Sequence, residues 1–276
     1  MLNLDDPISI YLSDFPYSET ITIRQLLAHS SGIPNPMPLS WVHSPDENSN
    51  FNSKLFFQGI FQKNKKVKSN PNIKFAYSNL GYVFLGMLIE TVSSQSYSDY
   101  ISENIINKIG LTSDKLGFTI QNKNLQSKGY IKTWSFMNLV LGFVLDKSKF
   151  IDGTEGRWTA YKQLYVNGPS YGGLIGSGSA FVKYLQELLK TDGLLISENH
   201  KKQLFAENIL SNRKQSRMCL SWFKGDLNGH TYFAHAGGGF FYCEIRLYPE
   251  LERGSVIMLN RSGMSDKRFL DDFDKL

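Results

Sequence analysis

The chain has 276 residues, 41% of them apolar and 20% charged, with a net charge of +5 and a pI of about 9.0. That is long enough for one large domain or two interleaved ones, and the composition is that of an ordinary globular protein. The positive excess is spread out, with its densest run at residues 63–68 beside Asn and Pro. That run reads as a solvated loop, and the pattern lacks the aromatic interleaving of a nucleic-acid-binding surface.

Asp5-Asp6-Pro7 reads as a helix start running to Leu12, with an aspartate as cap and a proline where no donor is needed. Thr22 then caps a helix whose apolar face is Ile23, Leu26 and Leu27. Gly32 ends it and Pro34 prevents its return. His29-Ser30-Ser31-Gly32 reads as a structural cap, because neighbours this close in a turn rarely give a productive base and nucleophile. Residues 34–53 are loop, residues 54–62 are helical, and a polar loop over 63–76 delivers Tyr77.

Tyr77-Ser78-Asn79 opens an apolar helical run that lasts to about Ser93. A phenol and a carboxamide two residues apart at a helix N-terminus can point into one cleft. The first can handle a proton and the second can hold a substrate amide. The tripeptide alone equally suits a packed tyrosine beside a turn-forming asparagine. A further helix is expected over 97–109, whereas residues 111–170 carry no clear period. Within them, the apolar stretch 134–145 reads as a buried helix, a partner contact or a rim over a cleft.

Ser177 or Ser179 caps a helix over 180–190 with Phe181, Tyr184, Leu185, Leu188 and Leu189 on one face, and Ser197 caps another over 198–207. The period then changes. Residues 217–224, 230–236, 240–248 and 255–261 read as strands, Asn228-Gly229 as a hairpin turn, and 266–276 as a short closing helix. Cys219 and Cys243, both in expected strands, read as free buried thiols, since spacing alone does not define a disulfide. The histidines and cysteines lack metal-ligand spacing, and no cofactor is expected.

Helices first and a β meander afterwards indicate an α+β fold. Residues 1–210 are expected to be a mostly helical domain carrying Tyr77 and Asn79, and residues 211–276 to supply antiparallel strands and a closing helix. No stretch is long enough to span a membrane, and the first residues do not resemble a signal peptide.

Five stretches, in order, resemble the serine β-lactamase-like hydrolases: class C β-lactamases, D-Ala-D-Ala carboxypeptidases, related esterases and the CubicO group. They are Leu4-Asp5-Asp6-Pro7-Ile8, the run from Ile21 to Ile33, Tyr77-Ser78-Asn79, Tyr171-Gly172-Gly173-Leu174 and His235-Ala236-Gly237-Gly238-Gly239. The resemblance implies a β-lactamase/transpeptidase-like fold, an antiparallel sheet with helices plus a large helical domain. It also implies acyl transfer, in which a serine attacks an amide, lactam or ester carbonyl and water releases the acyl group.

By the same resemblance Tyr77 serves as general base or proton relay, and Asn79 donates to a substrate acyl-amide oxygen. His235 holds a carboxylate or supports Tyr77, Gly237 allows close approach of a ligand, and the Gly238 N–H is one oxyanion-hole donor. The expected ligand is a small molecule or a peptidoglycan-like acyl compound, and the expected location is the bacterial periplasm or cell envelope. One departure stands out. The family's Ser-x-x-Lys motif should precede Leu4, yet Ser211-Asn212-Arg213-Lys214 follows the tyrosine in a polar linker. The nucleophile, its lysine and the early strands are therefore expected to be missing and the chain inactive as written. A non-catalytic binding module and the remnant of a split gene are the alternatives.

Overall fold

In the computed structural model, which describes residues 2–262 and 268–274, helix α1 (Ile23–Leu27) begins with a reciprocal cap. The Gln25 amide donates to the Thr22 hydroxyl at 3.2 Å while the Thr22 amide donates to the Gln25 side chain at 3.1 Å. The helix expected over 5–12 shrinks to a 3-10 turn, Ile8–Ile10. Its backbone is drawn elsewhere: the Ile8 amide donates to the Ile21 carbonyl, and Pro7 bridges Thr22. The two aspartates are not caps either. Asp5 takes both ends of the Arg24 guanidinium fork at 2.7 and 2.9 Å, and Asp6 accepts from the Tyr11 hydroxyl at 2.6 Å.

Helix α2 (Ser53–Lys63) is capped by Asn52, and α3 (Asn79–Ser93) by Ser78. These helices close over a core of Ile8, Ile21, Leu26, Phe57, Leu80 and Phe84, each at most 1% exposed. Helix α4 (Tyr97–Ile101) passes into a π turn at Ser102–Ile106, so the expected helix over 97–109 is broken by wider hydrogen bonding.

The stretch without a clear period folds into short strands and helices. Strand β1 (Val42–His43) pairs with β6 (Tyr165–Val166), and β2 (Leu116–Gly117) with β7 (Ile175–Gly176). Between them lie β3 (Gly129–Lys132), α5 (Phe136–Val144), α6 (Lys147–Phe150), β4 (Ile151–Glu155) and β5 (Trp158–Tyr161). Helices α7 (Gly178–Leu189), capped by Ser177, and α8 (Glu198–Leu204), capped by Ser197, follow.

The main sheet comprises β8 (Phe223–Leu227), β9 (His230–Gly238), β10 (Tyr242–Tyr248) and β11 (Arg253–Leu259) in the order β11-β10-β9-β8, all antiparallel. Among the described residues β11 forms one edge of it. Strand β12 (Arg261–Ser262) joins the other sheet beside β3, and α9 (Leu270–Phe273) follows. The remainder of the closing helix expected over 266–276 lies partly outside the described residues.

Alternation along β10 sends successive side chains to opposite faces, and both faces are covered. Leu247 and Ile245 pack with Leu185 and Leu188 of α7 and with Phe233. Glu244 and Arg246, each 0% exposed, face the other way, where Arg246 bonds Glu244 at 2.7 Å and Asp271 at 2.6 Å. The Tyr248 hydroxyl donates to Asp274 at 2.9 Å on the same face.

The strand expected over 217–224 begins only at Phe223. The Cys219 amide donates to the Trp222 carbonyl and Ser221 has φ 71°, so residues 219–222 form a turn. Cys219 is buried in that turn, Cys243 is only half-buried, and both are free thiols. Desolvation pushes the Cys219 thiol up to about 12 and Cys243 to about 11.

Candidate active site

The segment after α1 serves as a template for the loop that carries Tyr77. The Lys68, Asn72 and Ala76 amides donate to the carbonyls of Gly32, Ser30 and His29, each at 2.7 Å. Gly32 has φ 75°, and a Cβ there would stand 2.1 Å from the Ser69 carbonyl oxygen, so the close approach requires glycine. His29 is buried with its ring stacked on Tyr77 (centroids 4.0 Å apart) and on Tyr82 (4.8 Å). Its Nδ1 accepts from the Ser78 amide at 3.1 Å, which places the ring proton on Nε2. Burial pulls the His29 pKa down to about 3, so this imidazole is neutral.

The opposite wall is β9. His235 Nδ1 lies 2.6 Å from the Ser221 carbonyl, which can only accept, so Nδ1 carries the proton and Nε2 is left as an acceptor. The Tyr77 hydroxyl lies 3.4 Å from that Nε2 and donates toward it. Desolvation moves the two groups in opposite directions. It raises the Tyr77 phenol above its ordinary value and lowers His235, whose pKa the Ser221 carbonyl pulls back up in part. Both are therefore neutral near pH 7.

A cavity of about 290 Å³ lies between these walls. Its lining is largely aromatic: Tyr77, Tyr82, Tyr97, Phe118, Tyr171, Tyr184 and Trp222, with Gly172, Gly173, Leu174, Ser221 and His235. The Tyr82 hydroxyl donates to the Leu27 carbonyl at 2.9 Å, so the Ser221 hydroxyl, 2.6 Å from it, is the donor in their mutual bond. Burial holds Tyr82 well above the ordinary phenol range. Ser221 thus borders the cavity with its proton committed to a group that cannot act as its base.

The structure brings Tyr77 and His235 together, whereas Asn79, Gly237 and Gly238 stand outside the cavity lining. Asn79 opens α3, its backbone and side-chain N–H groups both donating to Asn35 Oδ1, at 3.0 and 3.2 Å. Gly237 and Gly238 end β9, paired with Cys243 and Tyr242, outside the cavity lining. His235 and Gly237 share one face of the strand. A Cβ at Gly237 would meet nothing within 4 Å, so packing does not demand the glycine there. Ser211 and Lys214 sit in an exposed turn closed by the Ile209–Gln215 bridge and do not line the cavity.

Sequence reasoning did not single out Ser221, Tyr82, Tyr97 or Tyr184 as cavity residues. Ser221 was hidden by an apparent strand, and the tyrosines looked like helix core. Tyr171-Gly172-Gly173-Leu174 did carry a signal as a motif, and these residues line the cavity. Among the described residues no group of His, Cys, Asp and Glu could hold a metal ion. No helix of theirs is long and apolar enough to cross a membrane.

Comparison with known proteins matches the family described as Beta-lactamase over residues 1–276. The chain belongs to the Beta-lactamase family. It is 26% identical over 273 residues to penicillin-binding protein 4* of Bacillus subtilis (strain 168), covering 94% of this chain and 55% of that one. It is 33% identical over 134 residues to protein flp of Staphylococcus aureus (strain N315), covering 47% of this chain and 26% of that one. The chain therefore spans about half, or less, of the length of these relatives.

The octameric penicillin-binding protein homologue from Pyrococcus abyssi shares the fold, with a TM-score of 0.67 at 24% identity, covering 95% of this chain and 57% of that one. A D-amino acid amidase from Ochrobactrum anthropi SV3, complexed with L-phenylalanine, gives a TM-score of 0.67 at 16% identity, covering 99% and 75%. The expected α+β, β-lactamase/transpeptidase-like fold is thus present, and the chain is a β-lactamase-like member of a serine hydrolase family.

Proposed function

We propose that the Tyr77–His235 cleft receives the acyl part of an amide, lactam or ester, and that this chain by itself binds such a ligand without hydrolysing it. The observation that carries this reading is the 3.4 Å approach of the Tyr77 hydroxyl to His235 Nε2 on the wall of an aromatic cavity. In this reading Asn79 donates to the acyl-amide oxygen and Gly237 leaves room for the ligand along β9. The Gly238 N–H faces the carbonyl oxygen. An oxyanion donor of that kind contributes about 3–4 kcal/mol to the transition state.

Turnover needs an activated nucleophile. Ser221 donates its hydrogen bond to Tyr82, the Lys224 three residues on is paired with Glu207 at 3.8 Å, and Ser211 with Lys214 lies away from the cavity. With its raised pKa, Tyr77 remains a hydrogen-bond donor rather than a base.

A second reading is favoured by the match to penicillin-binding protein 4*, which takes in 94% of this chain but 55% of that protein. A serine and lysine supplied by residues outside this sequence would complete the same cleft, and Tyr77 would then relay the serine's proton. Intact-mass measurement after incubation with a penicillin and with a p-nitrophenyl ester tests the main reading. It predicts no adduct and no hydrolysis above background, but saturable binding that Y77A and H235A abolish. A covalent adduct on the chain, or wild-type binding by both variants, contradicts it.

A further inference from the structure

The cavity between the Tyr77 wall and β9 is lined by no aspartate, glutamate, lysine or arginine. Its one histidine, His235, is kept neutral by desolvation. A charged group placed there gives up its water shell and gains no counter-ion, which strongly disfavours it. The walls are rings instead. Tyr97 and Phe118 meet edge to face with centroids 5.8 Å apart, a frame against which a further ring packs well. An apolar cavity of about 150 Å³ already holds benzene. The volume of about 290 Å³ here therefore takes a benzene ring together with one substituent and the short arm that carries it.

Five phenols line this space. Three of them are committed: Tyr77 points toward His235 at 3.4 Å, Tyr82 donates to the Leu27 carbonyl at 2.9 Å, and Tyr171 donates to the Trp41 carbonyl at 3.1 Å. Among the described residues the hydroxyls of Tyr97, from α4, and Tyr184, from α7, have no hydrogen-bond partner. They are not among the buried polar atoms sealed in without one either, so both oxygens open on the cavity. Tyr82 is an electrostatic neighbour of Tyr77 and of Tyr97, and Tyr97 of Tyr184, which sets the two unpaired phenols further along the lining from the Tyr77–His235 wall. Burial pushes both up to about 12, so each is neutral and can donate or accept.

We propose that this cavity selects a neutral hydroxyaryl acyl group, and that Tyr97 and Tyr184 determine that specificity. The inference rests on the reading that the Tyr77–His235 cleft receives the acyl part of the ligand. The aromatic ring enters the lined space and its hydroxyl meets the two open phenols. A phenolic hydroxyl accepts from one and donates to the other, which no purely apolar ring can do. An unsubstituted ring binds but strips water from both phenols without replacing its hydrogen bonds. A ring bearing a carboxylate is rejected, because the lining holds no cation to meet it.

The test is calorimetric titration of the full chain with 4-hydroxyphenylacetamide, phenylacetamide and 4-carboxyphenylacetamide, with benzylpenicillin run in parallel. The wild type should bind the hydroxylated amide about tenfold more tightly than phenylacetamide, and about a hundredfold more tightly than the carboxylated one. Y97F/Y184F should bring the first ratio to about one while phenylacetamide binding changes by less than about threefold. Each single variant should lose part of the ratio, which keeps the test available if the double variant does not fold. Equal affinity for the hydroxylated and unsubstituted amides overturns the proposal, as does a preference that survives in Y97F/Y184F or favours the carboxylate. If benzylpenicillin binding still depends on Tyr77 in that case, the acyl-cleft reading stands and only the selectivity falls. A hydroxyl preference that is lost in Y97F/Y184F but unaffected by Y77A supports the aromatic pocket and removes the acyl cleft. Absence of binding by every probe overturns both.

Discussion

The Tyr77 hydroxyl stands 3.4 Å from Nε2 of His235, although 158 positions separate the two residues. The helical layer delivers one and the sheet delivers the other. The aromatic cavity exists because those layers meet, and several residues around it follow testable rules of protonation and packing.

His235 should be the Nδ1-protonated tautomer, since the Ser221 carbonyl accepts at 2.6 Å. Its titration should fall below the ordinary histidine value of 6.5, driven by desolvation. Imidazole NMR of the wild type and of Y77F checks both points. Y77F should keep the tautomer and change stability by less than about 1.5 kcal/mol, because only one hydrogen bond between neutral groups is lost. A His235 that titrates above its ordinary value would contradict the desolvated cleft.

His29 links stability to acid. Its folded pKa is about 3 and its ordinary value 6.5, so the unfolded chain binds a proton that the folded one refuses. The contribution is complete above the unfolded value and is lost as pH falls below it, at about 1.4 kcal/mol per pH unit. Urea unfolding of wild type and H29N at several pH values isolates it from the carboxylates. The stability difference between the two should shrink with that slope, whereas a constant difference would show that His29 is not the group responsible.

The buried pair on β10 should respond asymmetrically. R246M leaves the Glu244 carboxylate uncompensated at a site that is 0% exposed and should cost about 3–5 kcal/mol, whereas E244Q leaves Arg246 paired with Asp271 and should cost less. E244L/R246M removes both charges of the pair and should cost less than R246M alone. Thermal or urea unfolding of the three variants gives the ordering directly.

G32A should destabilise by more than about 2 kcal/mol, since alanine meets both a left-handed φ and the Ser69 carbonyl. Because the template loop carries Tyr77, the same variant should disturb the tyrosine's stacking on His29. Urea unfolding together with near-ultraviolet circular dichroism checks this.

What could be read beforehand was local. Thr22 before α1, Tyr77-Ser78-Asn79 at the opening of α3, Ser177 before α7 and Asn228-Gly229 are short-range signals, and each acts in the structure as such. The closeness of Tyr77 and His235 was legible only through the order of motifs, because no local rule joins residues so far apart in sequence. Glu244 and Arg246 on a buried strand face could not be read, since alternating charge normally marks a solvent-facing side. Ser221 was missed because a positive φ at a non-glycine residue leaves no compositional mark.

The central claim is that Tyr77 and His235 form the wall of one acyl-binding cleft, and the most direct measurement follows the histidine rings by NMR during titration with benzylpenicillin. The account predicts a saturable shift of the His235 ring with His200 and His230 unmoved, and loss of that shift in Y77A. Saturable shifts confined to His200 or His230, or a His235 ring that stays unchanged at any ligand concentration, would contradict it.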